Sequence, residues 1–466
     1  MNSLQVKLLR PCPMNYQVVT PAFPRALLAL AMAVAVLSSA PSARAVPPPR
    51  FGPPTSFPVG DSPYSMIVAD FNGDGKPDLA VARDAGFSVL LGLGNGRFAA
   101  PSSITNYGWG YYLAAGDFNC DRNLDLVAAG SYGGSVLLGD GRGNFPVRTN
   151  SVASNYPYGL AIGDFNGDGR LDLATRGNYH TVEVEFGRGD GSFGIFTNYT
   201  LANEFSDIRA GDLNGNGRLD LVVALNDDTP FNSNTVCVLP NTGGGAFTTA
   251  QYYGGASGAN EYQRSLELAD LNHDGALDLA LLNCIAGSVT IWLNNGAGAF
   301  GPPTDYPVGF SPLSIAAADF NGDGNMDLLV RGGTTAVILL GHGDGSFTVA
   351  DPMSVPDDSG RRNTVAVGDF NGDGMPDIAF LDNSGGAVAV MLNQTPPILQ
   401  LTPMPGYSQL AWLTTFGAGY TLECTTNLAV PGGWQPFPYP PVVIGNQKAV
   451  ADWENGERKF YRLRKP

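Results

Sequence analysis

Asp70-Phe71-Asn72-Gly73-Asp74-Gly75-Lys76-Pro77-Asp78-Leu79 occurs, with small changes, seven times along this chain. The later copies begin at Asp117, Asp164, Asp212, Asp270, Asp319 and Asp369, at successive separations of 47, 47, 48, 58, 49 and 50 residues. A fixed period of this size marks a repeat architecture, in which each unit needs neighbours to bury its apolar faces.

The shared pattern is D-x-N-x-D-G-x-x-D followed by Leu or Ile. Oxygens at positions 1, 3, 5 and 9, with a glycine at 6 for the sharp turn, are what a calcium loop requires, because a hard cation takes six to eight oxygen ligands. The candidate ligands are Asp70, Asn72, Asp74 and Asp78 with the backbone carbonyl of Lys76, and Asp117, Asn119, Asp121 and Asp125 in the second copy. They continue as Asp164, Asn166, Asp168, Arg170 (carbonyl) and Asp172, then Asp212, Asn214, Asn216 and Asp220. The fifth copy offers Asp270, Asn272, Asp274, Ala276 (carbonyl) and Asp278, and the sixth Asp319, Asn321, Asp323, Asn325 (carbonyl) and Asp327. The seventh offers Asp369, Asn371, Asp373, Met375 (carbonyl) and Asp377. Up to seven calcium ions are expected. The twelfth-position Glu of an EF-hand is missing, so the loop closes on its ninth-residue Asp. The alternative is that these residues only make Asx-turns in tight hairpins. Two copies depart from the pattern: Arg122 stands where glycine belongs, and Asn216 replaces the fifth-position Asp.

Alternating apolar runs flank each loop, such as Ser65-Met66-Ile67-Val68-Ala69 before and Leu79-Ala80-Val81-Ala82 after, and these read as strands. A third strand resembles Ser88-Val89-Leu90-Leu91, and a glycine hairpin leads to a fourth beginning at Phe98, Phe145, Phe193, Phe247, Phe300 or Phe347. Lettered A to D in chain order, four such strands repeated radially make a β-propeller. The seventh repeat lacks a D strand, and the chain begins instead with an unaccompanied one. Phe51 to Gly60 matches Phe300 to Gly309 at eight of ten positions. The expectation is therefore an all-β protein with seven blades, closed by the N-terminal strand, which leaves no open sheet edge.

The Gly-x-Phe strand start and the D-F-N-G-D-G-x-x-D loop resemble FG-GAP/VCBS repeats, the units of the integrin α-subunit propeller and of many secreted bacterial proteins. The resemblance covers residues 51 to about 394. It implies calcium between strands A and B, held by the residues named above. It says little about function, because one fold hosts many.

The remaining segments divide the chain. Lys7, Arg10 and Arg25 precede an apolar run from Ala26 to Leu37, and Ala43-Arg44-Ala45 offers a cleavage site, so residues 1–45 read as an export signal. Residues 46–395 then form the propeller. Residues 396–466 follow as a small β-sandwich-like domain, resembling a C-terminal β-module of exported proteins from some environmental bacteria. After cleavage the chain would carry 22 basic and 42 acidic residues, and 20 of those acids lie in the loops. Acidity thus reflects ion ligands and argues against a nucleic-acid partner. No second hydrophobic segment suggests a membrane span. Cys120, Cys237, Cys284 and Cys424 lack the spacing of a zinc site or disulfide framework, although Cys237 and Cys284, in successive repeats, invite comparison as a bridge.

Strand order puts the A–B and C–D loops on one face and the B–C and D–A loops on the other. The second face takes the extra length of the 58-residue spacing, in Asn226 to Asn234 and Tyr253 to Arg264. Tyr107, Trp109, Tyr111, Tyr112, Tyr156, Tyr158, Tyr179, Tyr253 and Tyr262 fall in or beside its loops. Exposed aromatics suit sugar rings and protein contacts. A secreted recognition or adhesion module for protein or glycan is the expectation. The alternatives are the scaffold of a polysaccharide- or ester-cleaving enzyme, or a purely structural surface protein. His180, His273 and His342 are the only histidines, and nothing in their spacing makes an acid–base triad. Arg188-Gly189-Asp190 spells an integrin-recognition tripeptide but lies within a glycine hairpin.

Overall fold

A computed structural model describes residues 48–464 except 85, 106–109, 131–132, 153–158, 178–179, 227–233, 255–264, 359–363, 397–399, 405–406, 414–420, 427–433, 439–440, 445–446 and 454–458. The expected export signal lies outside the described residues.

Seven antiparallel sheets are built from the repeats, six of four strands and the sixth blade's of five, where Met353–Ser354 also pairs with Thr335–Gly341. In the first, strand A is Pro63–Ala69, B is Asp78–Arg83, C is Gly86–Leu90 and D is Ser102–Thr105. Strand B is buried along nearly its whole length, as in Asp125–Gly130, Asp220–Leu225 and Asp278–Asn283. These interior strands are covered on both faces, and they accordingly read as continuous apolar runs rather than alternating ones. Each A strand touches the A strand of the following sheet, and Val365–Gly368 of the seventh returns to Pro63–Ala69 of the first. The all-β propeller is therefore closed.

Its closure uses the N-terminus, as the sequence suggests. Thr55–Pro58 pairs antiparallel with Ala387–Met391, placing Thr55 opposite Val390 and Pro58 opposite Ala387. Upstream, Phe51 bridges to Asn393, the same relation that Phe98 has to Gly92 and Phe300 to Asn294. Phe51 is thus the missing D-strand phenylalanine of the seventh blade.

One apolar contact repeats at every seam. The second loop residue of a blade meets the D-strand phenylalanine of the next: Phe71 with Phe145, Phe118 with Phe193, Phe165 with Phe247 and Phe370 with Phe98, all edge-on at 5.5–5.9 Å. Phe320 meets Phe51 at 6.1 Å, and Leu213 and Leu271 replace the ring against Phe300 and Phe347. Edge-to-face pairs add roughly 0.5–1.5 kcal/mol beyond the area they bury.

Residues 400–464 form two further sheets that share no strand pairing with the blades. One orders Gln400–Met404, Tyr407–Leu413, Gln447–Trp453 and Val442–Ile444 side by side, and the other places Thr421–Thr425 between Gln435–Pro436 and Phe460–Arg464. Leu410 and Val450 of the first sheet pack with Leu422 and Leu463 of the second in one small core.

Candidate functional site

The seven A–B loops share one hydrogen-bond plan. The first Asp accepts the backbone N–H of position 6 in every copy, at 2.7–3.0 Å. The fifth residue accepts the N–H of position 7, again in all seven. The third-position Asn accepts the N–H of position 5 in six of them. Left-handed backbone at positions 4 and 6 makes this possible, with Gly73 at φ 71° and Gly75 at φ 80° in the first loop. The oxygens of positions 1, 3 and 5 are thereby wrapped around a single turn.

The ninth Asp behaves differently from its neighbours. It is fully buried in every blade, and its two oxygens accept backbone amides from two different loops. In the first blade Asp78 takes the Phe71 N–H at 2.9 Å and the Gly92 N–H at 2.6 Å, so it ties the A–B loop to the start of the C–D hairpin. Asp125, Asp172, Asp220, Asp278, Asp327 and Asp377 repeat this brace. Both loop sets consequently lie on one face. Burial pushes Asp78 up to about 6, Asp172 and Asp377 to about 7 and Asp327 to about 8, against the pull of the amides and with added repulsion from the first and fifth carboxylates.

Both departures from the sequence pattern keep the plan. Arg122 adopts the left-handed conformation of the glycine it replaces, at φ 74°, and donates its N–H to Asp117. Asn216 accepts the Arg218 N–H as an aspartate would. The fourth loop differs instead at Asn214, whose side-chain amide turns to Asp220 and leaves its buried Oδ1 without a hydrogen bond.

Among the described residues, no group of three or more His, Cys, Asp and Glu side chains is arranged to hold a metal ion as it stands. The ninth carboxylate is committed to two amides, which leaves the first and fifth as the acids facing the turn. The donor chemistry nonetheless fits a hard cation: every candidate side chain is an oxygen donor, each has lone pairs beyond its amide bond, and Asn214 Oδ1 is a buried acceptor awaiting a partner. Two loops carry a partial substitute for such a cation. Lys76 Nζ lies 3.1 Å from Asp74, and Arg170 lies 3.6 Å from Asp168. Position 7 reaches the loop through its N–H and, in these two copies, its side-chain charge.

Sequence reasoning missed three residues of this face. Asn241, Asn294 and Asn393 stand where other blades have Gly92, Gly139, Gly187 and Gly341, and all seven donate N–H to the ninth Asp. The only signal is that an asparagine replaces a glycine just before the hairpin.

The opposite face is only partly described. Tyr107, Trp109, Tyr156, Tyr158, Tyr179 and Tyr262 lie outside the described residues, as does most of Asn226 to Asn234. Tyr111 and Tyr112 belong to the inner strand Gly110–Gly116. Tyr253, beside that face in strand D, is half-buried, packs edge-on against Phe300 at 5.2 Å and reaches the Gly298 carbonyl, as Tyr199 and Tyr306 pack on Phe247 and Phe347. Its periodic place in strand D makes it a seam residue.

The remaining candidates resolve simply. His273 Nε2 pairs with Asn325 of the next loop, and His342 Nε2 with Thr348. Asp190 of the Arg-Gly-Asp tripeptide binds Ser192, the same turn that Asp344 makes with Ser346 in the sixth blade. Cys237 and Cys284 are buried and form no disulfide with each other.

A closed all-β propeller whose blades each carry an oxygen-rich A–B loop defines the class. The chain belongs to the FG-GAP-like repeat family, which matches residues 70–128, 121–175, 164–223, 212–281, 270–330 and 320–380, each span running from one loop into the strand beyond the next. No curated protein matches it. Among solved structures, BBS1N in complex with ARL6DN aligns at a TM-score of 0.51 and 11% identity, over 74% of this chain and 97% of that one. An Agrocybe aegerita protein described by its specific recognition of non-reducing terminal N-acetylglucosamine aligns at 0.48 and 22% identity, over 64% and 81%. At 11% identity the likeness to BBS1N speaks to fold alone. No helix among the described residues is long and apolar enough to cross a membrane.

Proposed function

We propose that this protein is an exported, calcium-binding propeller that acts as a non-catalytic recognition or adhesion module, with protein or glycan docking on the face away from the loops. The sevenfold recurrence of one oxygen-lined turn supports the ion reading. Six of the seven turns bring their first and fifth acids close to a buried third carboxylate, the fourth having Asn216 at its fifth position, and a divalent ion would offset that repulsion. The first, third and fifth side chains would hold the ion with the seventh carbonyl, the ninth Asp bracing the turn from behind. The ion would supply positive charge and a cross-link, and no chemical step depends on it. With one face occupied by braced loops, the B–C and D–A connections remain for recognition. The rival reading, an enzyme that cleaves polysaccharide or ester on this scaffold, has no constellation among the described residues in its favour.

Calorimetric melting with calcium and with a chelator tests the ion. A melting temperature that rises with calcium concentration is expected, since a ligand bound only by the folded state shifts the equilibrium. Indifference to both would remove calcium from the account. A glycan array with wild type and Trp109→Ala tests recognition, a loss of binding supporting it and polysaccharide cleavage favouring the enzyme.

A further inference from the structure

Asn241, Asn294 and Asn393 each join two loops with one carboxamide. Asn241 Nδ2 donates to the Phe165 carbonyl of the third loop at 2.9 Å and to the Leu219 carbonyl of the fourth at 3.0 Å. Asn294 Nδ2 spans Leu213 of the fourth and Leu277 of the fifth at 2.8 and 3.1 Å. Asn393 Nδ2 spans Phe320 of the sixth and Pro376 of the seventh, also at 2.8 and 3.1 Å. All three are buried, and their Oδ1 atoms accept the N–H of Gly243, Gly296 and Thr395, so the carboxamide has no freedom to turn away.

The other four seams solve the same problem with one contact fewer. There the carbonyl of Phe71, Phe118, Leu271 or Phe370 accepts a hairpin N–H, from Gly143, Gly191, Gly345 or Gly96. The residue at the asparagine position is glycine, and a Cβ on it would lie 2.1 Å from the position-8 carbonyl. At those seams no carboxamide holds a carbonyl of each loop, and the fifth and sixth loops are joined instead by the direct pairing of His273 with Asn325.

We propose that Asn241, Asn294 and Asn393 are positioning residues that couple neighbouring cation loops, so that filling one loop raises the affinity of the next. The inference rests on the calcium reading above. The carbonyls that each carboxamide holds belong to positions 2 and 8, which flank the ligand positions 1, 3 and 7 and the bracing ninth Asp. A loop tightened by its ion moves the carbonyl at its edge, and the buried amide carries that displacement to the adjacent loop. Coupling of this kind is a free energy shared between two sites, and it acts equally in both directions. The prediction distinguishes the loop pairs three–four, four–five and six–seven from the pairs one–two, two–three and seven–one, the five–six pair having its own side-chain link through His273 and Asn325.

A double-mutant cycle on the full chain tests it, with calcium as the titrant. Trp292, buried and paired opposite Leu279 beside Asp278, reports the fifth loop, and its signal is identified by loss in Trp292→Phe. Asp212→Ala disables the fourth loop, and a several-fold weakening of the fifth is expected where Asn294 is present. With Asn294→Gly, which installs the residue four other blades use here, Asp212→Ala should leave the fifth loop unchanged. Equal weakening with and without the asparagine would overturn the coupling while leaving calcium binding intact. A wild type that takes up no calcium would overturn both. Should Asn294→Gly not fold by circular dichroism, Asn393→Gly with Asp319→Ala repeats the cycle on the sixth and seventh loops by calorimetry, under the same two criteria.

Discussion

Asp327 shows what a single side chain does here. Its oxygens take the N–H groups of Phe320 and Gly341, and replacing it with alanine would strand two buried amides. The expected loss is about 2–6 kcal/mol in urea unfolding, since each buried unsatisfied group costs about 1–3 kcal/mol. Arg122 should give the opposite sign. A side chain in the left-handed region costs about 1–2 kcal/mol, so Arg122→Gly should stabilise the protein by about 1 kcal/mol if the altered turn is otherwise unchanged. Glu267 lies on the inner strand Leu266–Ala269, where burial foremost, and Asp207 after it, raise its carboxyl to about 7 while Arg209 pulls it down. The folded state then holds the proton more tightly than the unfolded chain. That contribution is complete below about pH 4.5, the unfolded value, and is lost as pH rises through about 7. Glu267→Gln should therefore melt higher than wild type at pH 8, by roughly a few degrees, and match it at low pH. Of these three effects only that of Arg122, a departure from the glycine pattern, is legible in the sequence. An aspartate is the same letter whether it binds an ion or braces two amides, and the burial of Glu267 depends on blades far from it in the chain.

Elements were far more legible, and the reason is periodicity. Short alternating runs at a fixed distance from a glycine turn have few alternatives to the four-stranded blade, and the match between Phe51 to Gly60 and Phe300 to Gly309 foretold the closing strand. A tyrosine at a strand end, such as Tyr253, looks alike in the sequence whether it faces solvent or the next blade. Two connections between elements carry testable weight. Phe51→Ala should lose the edge contact with Phe320 and lower stability by up to about 3–5 kcal/mol, less in proportion to the ring's remaining exposure. Arg331, buried in strand Asp327–Gly332, donates to the carbonyls of Thr364, Pro356 and Leu381 and sits 3.5 Å from the equally buried Asp358. Removing it takes the guanidinium from beside that buried carboxylate and a donor from three carbonyls, of which that of Thr364 still accepts the Leu381 N–H, so Arg331→Ala should cost about 3–5 kcal/mol by thermal or denaturant melting. Arg176 makes the corresponding reach in the third blade, to the Phe205 carbonyl and Glu204.

Taken as a ring, the molecule has seven seams, and each pairs an apolar contact with a hydrogen bond to the carbonyl of the second loop residue. Stability is then distributed around the circle, and damage to one seam is felt by its two neighbours first. The seventh blade alone is assembled from both ends of the propeller sequence. Residue 50 and residue 394 exchange a hydrogen bond, the Gln394 N–H donating to the Arg50 carbonyl at 2.7 Å. Both ends thus leave the rim side by side, from the same end of an antiparallel pair. Tension applied between a tether before residue 50 and a load after residue 394 would peel that pair apart one rung at a time rather than shear all its rungs at once, making this blade the mechanical fuse of the disc.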